Sequence, residues 1–222
     1  METAELAKLI KSRRSIRVLQ DKPVPEELLM QAIELATWAP NGANLQNWRF
    51  YVILNKKIIT AIADAVRAVM SDVFSWPEMA GAFPPGMPRP GGSPPVGRPD
   101  TLRNAPALIA VATKRLQNPI DKAMAERAKV DPKAKQIIDG LTRVDSRIQS
   151  VSAAIAYLLL ALHQLGLGSV WMTAPLQAKA DIEKILKVPP DLDIVALLPV
   201  GYPGESPVKD RKPVSEVCEI IR

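Results

Sequence analysis

The run Ile148 to Leu162, "IQSVSAAIAYLLLAL", constrains this chain more than any other stretch. A helix that is apolar nearly all round has to be buried nearly all round. At about 15 residues, interrupted by Ser150, Ser152 and Tyr157, it falls short of the ~20 that crossing a bilayer requires. The expectation is a core helix over 146–165 that the rest of the chain wraps. It closes at "GLG", where Gly166 or Gly168 can take the left-handed cap conformation.

The wrapping elements read in order. Residues 3–12 carry Leu6, Leu9 and Ile10 at helical spacing. "DKPVPEELLMQAIELATWAP" predicts a helix with Pro25 at its first position, Glu26 and Glu27 at the positive end of the dipole, and Pro40 as its stop. "WRFYVIL" is aromatic and β-branched, hence a strand. "KKIITAIADAVRAVMSDVF" returns to helical periodicity, "APALIAVAT" reads as a buried strand, and 118–144 as partly helical with Pro132 interrupting. "SVWMTA" reads as a short strand, "AKADIEKILKV" as a helix and "DIVALLPVGYP" as a strand. Helices first and then strands separated by helices indicate an α+β fold, one unit over 1–222. Between Trp76 and Arg103 prolines and glycines crowd too densely for a core element. Because Trp76, Met79, Phe83 and Met87 are apolar groups a mere linker does not need, a lid is expected there.

Composition removes several chemistries. With one cysteine, Cys218, and one histidine, His163, the chain can build neither an internal disulfide framework nor a His/Cys zinc site, and a His-dependent triad is not signalled. No metal site is expected. His163, inside "LLALHQLG", reads as a satisfied core or interface residue. The start, "METAELAKLIKSRRS", lacks a signal-peptide pattern, so a cytoplasmic location is expected. The net charge of +6 is spread over 29 dispersed Lys and Arg, and aromatics are only 5%, too few to stack bases, so no nucleic-acid partner is expected. No glycine fingerprint follows a strand, and there is no P-loop or nucleophile elbow. A chain without its own catalytic kit borrows a cofactor.

Two basic clusters fit that inference, "KSRRSIR" (Lys11 to Arg17) and "KDRK" (Lys209 to Lys212). They are either two solvated surfaces or the halves of one anion site. Guanidiniums fork onto phosphate oxygens. The loop "PNGANLQN" offers paired donors and acceptors suited to a heterocycle edge. A phosphate at one end and an imide edge at the other describe flavin mononucleotide, FMN.

Three segments in this order resemble the nitroreductase superfamily of FMN-dependent oxidoreductases: Arg13 to Ile53, "LGLGSVWMT" from Leu165, and "LPVGYPGESPVKDRKPVSEV" from Leu198. The resemblance implies a mixed sheet flanked by helices and an intertwined homodimer. It assigns FMN contacts to Arg13, Ser15 and Arg17, with Arg14 between them and Arg17 near the pyrimidine edge. Lys209, Arg211 and Pro213 match the phosphate-end element. Pro40, Asn41, Gly42, Asn44, Gln46 and Trp48 match the loop that reaches the flavin of the partner subunit. Asn41 stands where serine is common and Asn47 where proline is common. Met172 and Thr173 correspond to the backbone that meets the flavin near its N5 atom.

The implied activity is a ping-pong hydride transfer: NADH or NADPH reduces the flavin, which then reduces a nitroaromatic, quinone or similar small acceptor. No side chain need act as nucleophile or general acid. A dehalogenating or flavin-fragmenting enzyme of the same superfamily, and a non-enzymatic polyanion-binding module, are the rival readings. No membrane partner is expected.

Overall fold

The computed structural model describes residues 3–81, 100–114, 119–141 and 145–222. The prolines from Pro84 to Pro99, with Phe83 and Met87, lie outside them, and so does most of the expected lid. Its described flanks are ordered as short helical turns: Pro77–Gly81 follows Trp76, and α4 (Thr101–Asn104) is capped by Asp100, whose carboxylate accepts from Arg103 N.

α1 covers Thr3–Ser12 and α2 Glu26–Ala36. Pro25 is the residue before the first turn of α2, with ψ 135°, and not its first helical position. The helix ends at Ala36, where Thr37 caps it, four residues before Pro40. Proline restricts the residue preceding it, and the intervening turn absorbs that restriction. β1 (Trp48–Ile53) leads through Asn55, whose side chain caps Lys57 N, into α3 (Lys56–Ser75). β2 is Ala107–Lys114, α5 Pro119–Ala128, α6 Pro132–Leu141 and α7 Ser146–Gln164. Pro132 opens α6 and does not break a helix, since a first-turn N–H has no intrahelical partner to lose. Gly166, at φ 78°, provides the left-handed residue that ends α7. β3 is only Gly168–Ser169, α8 Lys179–Ile185 and β4 Leu192–Gly201.

The four strands form one sheet in the order β1-β2-β4-β3. The expectation of a mixed sheet needs correction: every pairing between these strands is antiparallel, and parallel geometry is confined to a bridge between Ser15 and Ser169. No helical crossover links two neighbouring strands in the same direction here, and parallel pairs depend on one.

Helices cover both faces of the sheet, which is why β2 is buried at seven consecutive positions and does not alternate. Ala107, Ile109 and Val111 meet α2 and α7 on one side; Leu108, Ala110 and Ala112 meet α3 and α8 on the other. A bulge between Val111 and Ala112 shifts the register with β4, so Ile194 and Ala196, two residues apart, serve opposite faces. Leu158 and Leu162 of α7 are fully buried. Truncating either to alanine costs about 2–5 kcal/mol. The expectation that α7 is enclosed nearly all round does not hold within one chain: Ala156 and Tyr157 are exposed on one face, Tyr157 at 43%. No helix among the described residues is long and apolar enough to cross a membrane.

At the sheet margin, buried Asp193 accepts from Arg147 at 3.1 Å and also pairs with Lys179. Asp145 caps the start of α7 through Arg147 N and Ile148 N. These pairs join α7 and α8 to β4. Breaking one partner of such a shielded group is far more damaging than its net contribution suggests.

Candidate functional site

The two basic clusters, almost two hundred residues apart in sequence, form one surface cleft of about 220 Å³, lined by Arg13, Arg14, Ser15, Arg17, Pro207, Lys209 and Arg211. The chain brings them together at the β3 edge. Ile16 N donates to Ser169 O at 3.0 Å, docking the segment after α1 onto β3. Glycine at 168 lets the two segments approach this closely: a Cβ there would sit 2.9 Å from Cγ2 of Ile16, so one of them would have to shift. A few residues on, Gln20 N donates to Tyr202 O and Gly204 N to Val18 O, each at 2.9 Å, and Leu19 bridges Pro203. This ties the N-terminal segment to the exit of β4, from which Lys209 and Arg211 follow. Glu205 Oε1 accepts from Arg17 N at 2.5 Å and Val18 N at 3.1 Å.

Among the described residues no ion pair joins any of the five cations of the cleft to a carboxylate. Burial, then the neighbouring guanidinium of Arg211 and then that of Arg14, push Arg13 below its ordinary value. A cluster of cations that disfavour one another's charge is matched by an anion supplied from outside. Arg14 has a second task. Its guanidinium donates to Lys11 O at 2.5 Å and Arg13 O at 2.9 Å, satisfying carbonyls at the end of α1, while its buried Nε has no partner.

The remaining sequence-selected residues lie elsewhere. Met172 exchanges backbone hydrogen bonds with Leu197 at 2.9 and 3.0 Å, and Thr173 follows it at the surface, on the line that continues from Ser169 along β4. "SVWMTA" is thus a strand only in part, because β4 pairs with its start and with Met172 alone. The 40–46 loop does not line the cleft. It packs on the opposite end of α7, with Gly42 N donating to Ser150 Oγ at 3.3 Å. Asn41 serves its own loop: Nδ2 donates to Ala39 O at 3.2 Å and Oδ1 accepts from Gln46 N at 2.9 Å. Ala43, Asn44 and Gln46 all have φ near +50°, and Gly42, Asn44 and Gln46 are exposed. Three non-glycine residues held left-handed in one short loop store backbone strain, which collects at functional sites. Pro213 lies exposed just beyond Arg211.

Two groups near the cleft were not evident in the sequence. His163 Nε2 lies 2.8 Å from Ser12 Oγ, next to the cationic segment. Nothing in "LLALHQLG" signals that neighbour. Glu205 was equally silent, since its partners lie near the other end of the chain.

The model of the nitroreductase family matches residues 10–202. A protein of Methanothermobacter thermautotrophicus provisionally named NADH dehydrogenase/NAD(P)H nitroreductase is 27% identical over 205 residues, covering 91% of this chain and 80% of its own length. A solved BluB-like flavoprotein from Clostridium difficile 630 superposes with a TM-score of 0.78 at 27% identity over the full length of both chains. An oxidized iodotyrosine deiodinase bound to FMN and 3-iodo-L-tyrosine shares the fold, with a TM-score of 0.67 at 24% identity over 98% of this chain and 97% of its own.

Proposed function

This chain belongs to the nitroreductase family, and we propose on that footing that it is an FMN-dependent oxidoreductase using NADH or NADPH to reduce small acceptors. Family membership retires the reading of a non-enzymatic polyanion module. The observation that carries the proposal is the single cleft made by Arg13, Arg17, Lys209 and Arg211, whose cations form no ion pair with a carboxylate among the described residues. Its donor set fits a phosphate dianion: forked guanidiniums, an ammonium and the Ser15 hydroxyl.

Arg13, Lys209 and Arg211 would hold the phosphate, with Arg17 as the cation for the heterocycle and the Met172–Thr173 backbone as a further contact. Bound FMN supplies the two-electron redox chemistry, so the protein's contribution is binding, orientation and charge. Arg17 acts on that charge, because a fixed cation favours an anionic reduced cofactor over an oxidised neutral one.

A homodimer completes the site. Ser150, which anchors the 40–46 loop, and His163, beside the cleft, are thirteen residues apart on α7, about 20 Å along a helix axis. That separation keeps Asn44 and Gln46 away from their own chain's cleft, which supports the reading that they serve the partner's. The exposed face of α7 with Tyr157, and Met30, Leu35 and Trp38 of and beside α2, provide apolar surface for a second copy.

The test is direct. Purified protein loaded with FMN should show the flavin bands and bleach anaerobically on adding NADH or NADPH, with acceptors restoring the colour. A protein that stays colourless after FMN loading and gel filtration would refute the reading. A relative named iodotyrosine deiodinase, from Thermotoga neapolitana and 28% identical over 94% of this chain, supports a second reading, reductive dehalogenation of a halogenated aromatic. Halide release from an iodinated phenol under the same conditions separates the two.

A further inference from the structure

A carboxylate is out of place in an anion site, because it opposes the charge the site is built to hold. Glu205 nevertheless stands at the junction of the two cationic segments. Residues 18–20 and 202–204 are joined by backbone pairing, and at the cleft end of that pairing the Glu205 side chain replaces a backbone acceptor, taking both Arg17 N–H and Val18 N–H. Among the described residues no other hydrogen bond links 13–18 with 205–211. Beyond Glu205 the chain is largely exposed, and it carries Lys209 and Arg211 with no tether of its own to the opposite wall.

We propose that Glu205 is a positioning residue: by holding the N–H groups of Arg17 and Val18 it fixes the spacing between the two cationic walls and so sets how strongly the phosphate of FMN is held. This rests on the reading of the cleft as the phosphate site. The mechanism sets two effects of one side chain against each other. The negative charge weakens anion binding, while the clasp presents Arg13, Lys209 and Arg211 to one phosphate without further ordering on binding. Two hydrogen bonds to a charged acceptor outweigh a solvent-screened repulsion.

Glutamine separates the effects, since its carbonyl oxygen accepts at the same reach without the charge. Aspartate keeps the charge but is one methylene too short to span both N–H groups. The experiment is fluorescence titration of FMN and of riboflavin, which lacks the phosphate, into flavin-free wild type, Glu205→Gln, Glu205→Ala and Glu205→Asp, with melting temperature as a check on folding. Wild type should prefer FMN. Glu205→Ala and Glu205→Asp should lose about tenfold of that preference, while riboflavin affinity stays within about threefold in every variant. Glu205→Gln should match or exceed wild type for FMN. If Glu205→Ala does not fold, Glu205→Asp carries the same expectation. Alanine and glutamine both tightening FMN would overturn the proposal and leave Glu205 as a counter-charge. Equal weakening of FMN and riboflavin would overturn it in favour of general loosening. A wild type that does not distinguish FMN from riboflavin, with Arg211→Ala no different, would instead remove the phosphate-site reading and the proposal with it.

Discussion

Ser12 Oγ and His163 Nε2 meet at 2.8 Å, joining the last residue of α1 to the last turn of α7 beside the cation cleft. Burial first, and then the charges of Arg13 and Arg14, hold His163 below its ordinary 6.5. The folded chain therefore binds this proton less readily than the unfolded chain. Acid favours unfolding: the stability difference is absent well above pH 6.5 and grows as the pH falls through it. In flavin-free protein the melting temperature should drop more between about pH 7.5 and about pH 5.5 in wild type than in His163→Gln. Bound FMN, by offsetting Arg13 and Arg14, should shrink that gap. Parallel curves for the two proteins would show that the histidine has no part in the pH response.

Removing a guanidinium from the cleft should weaken FMN selectively. Arg13→Ala and Arg211→Ala each lose a charge-assisted contact, on the order of 1.5–3 kcal/mol or about 10- to 100-fold in affinity. Lys133→Ala, on exposed α6, is the comparison and should leave affinity unchanged. Equilibrium dialysis measures this, and an Arg211→Ala protein that retains FMN as wild type does would exclude Arg211 from the phosphate contact.

Gly168→Ala should damage the site from behind. The added methyl meets Ile16 at 2.9–3.0 Å, on side-chain atoms that include Cβ, so the segment carrying Arg13 to Arg17 has to move. Overpacking of this kind costs about 1–3 kcal/mol. Both melting temperature and FMN affinity should fall, whereas Gly140→Ala, in helix α6 with open space at its Cβ, should leave FMN affinity unchanged and not lower the melting temperature. A Gly168→Ala protein indistinguishable from wild type in both measurements would mean that the contact with Ile16 does not hold the segment.

A charge on the open face of α7 should separate the proposed dimer. Tyr157→Glu places a carboxylate where one chain leaves the ring 43% exposed, so the effect on a monomer is small. In a dimer that buries this face the charge is left unpaired. Sedimentation should shift toward 24.2 kDa, with flavin lost in step as the 40–46 loop leaves the other chain's cleft. A variant that sediments as wild type and keeps its flavin would place the interface elsewhere.

Much of this was legible in the sequence because it rests on local pattern. α2, α3, β1, β2 and β4 follow from periodicity and β-branching, whereas charge sign left "RRSIR" and "KDRK" as either two solvated surfaces or one anion site. The details that were not legible are set by partners far along the chain. The length of β3 depends on which residues of β4 face it, and the place of Pro25 on where α2's first hydrogen bond closes. Asn41 is the instructive case: one N–H and one lone pair of its amide are engaged by Ala39 O and Gln46 N of its own loop, which fixes how the remaining N–H and lone pair are presented. The chemistry of a side chain is readable from its type; whether it is already committed is decided by φ and ψ at its neighbours. The open face of α7 misled for the opposite reason, because hydrophobicity specifies burial without saying by which chain.

The contact between Arg17 and Glu205 closes a loop of 188 residues. Pairing at that separation is slow to form, and it cannot form at all until both partners exist. The cleft is therefore a late event in the life of the molecule: a ribosome that has made α1, the whole sheet as far as β4, and α7 has still made only half an anion site. With the cleft as the proposed phosphate site, flavin loading belongs after synthesis of residue 211. Until then Arg13, Arg14 and Arg17 stand as an unmatched cationic patch near the front of a nascent chain, open to whatever polyanion is nearby.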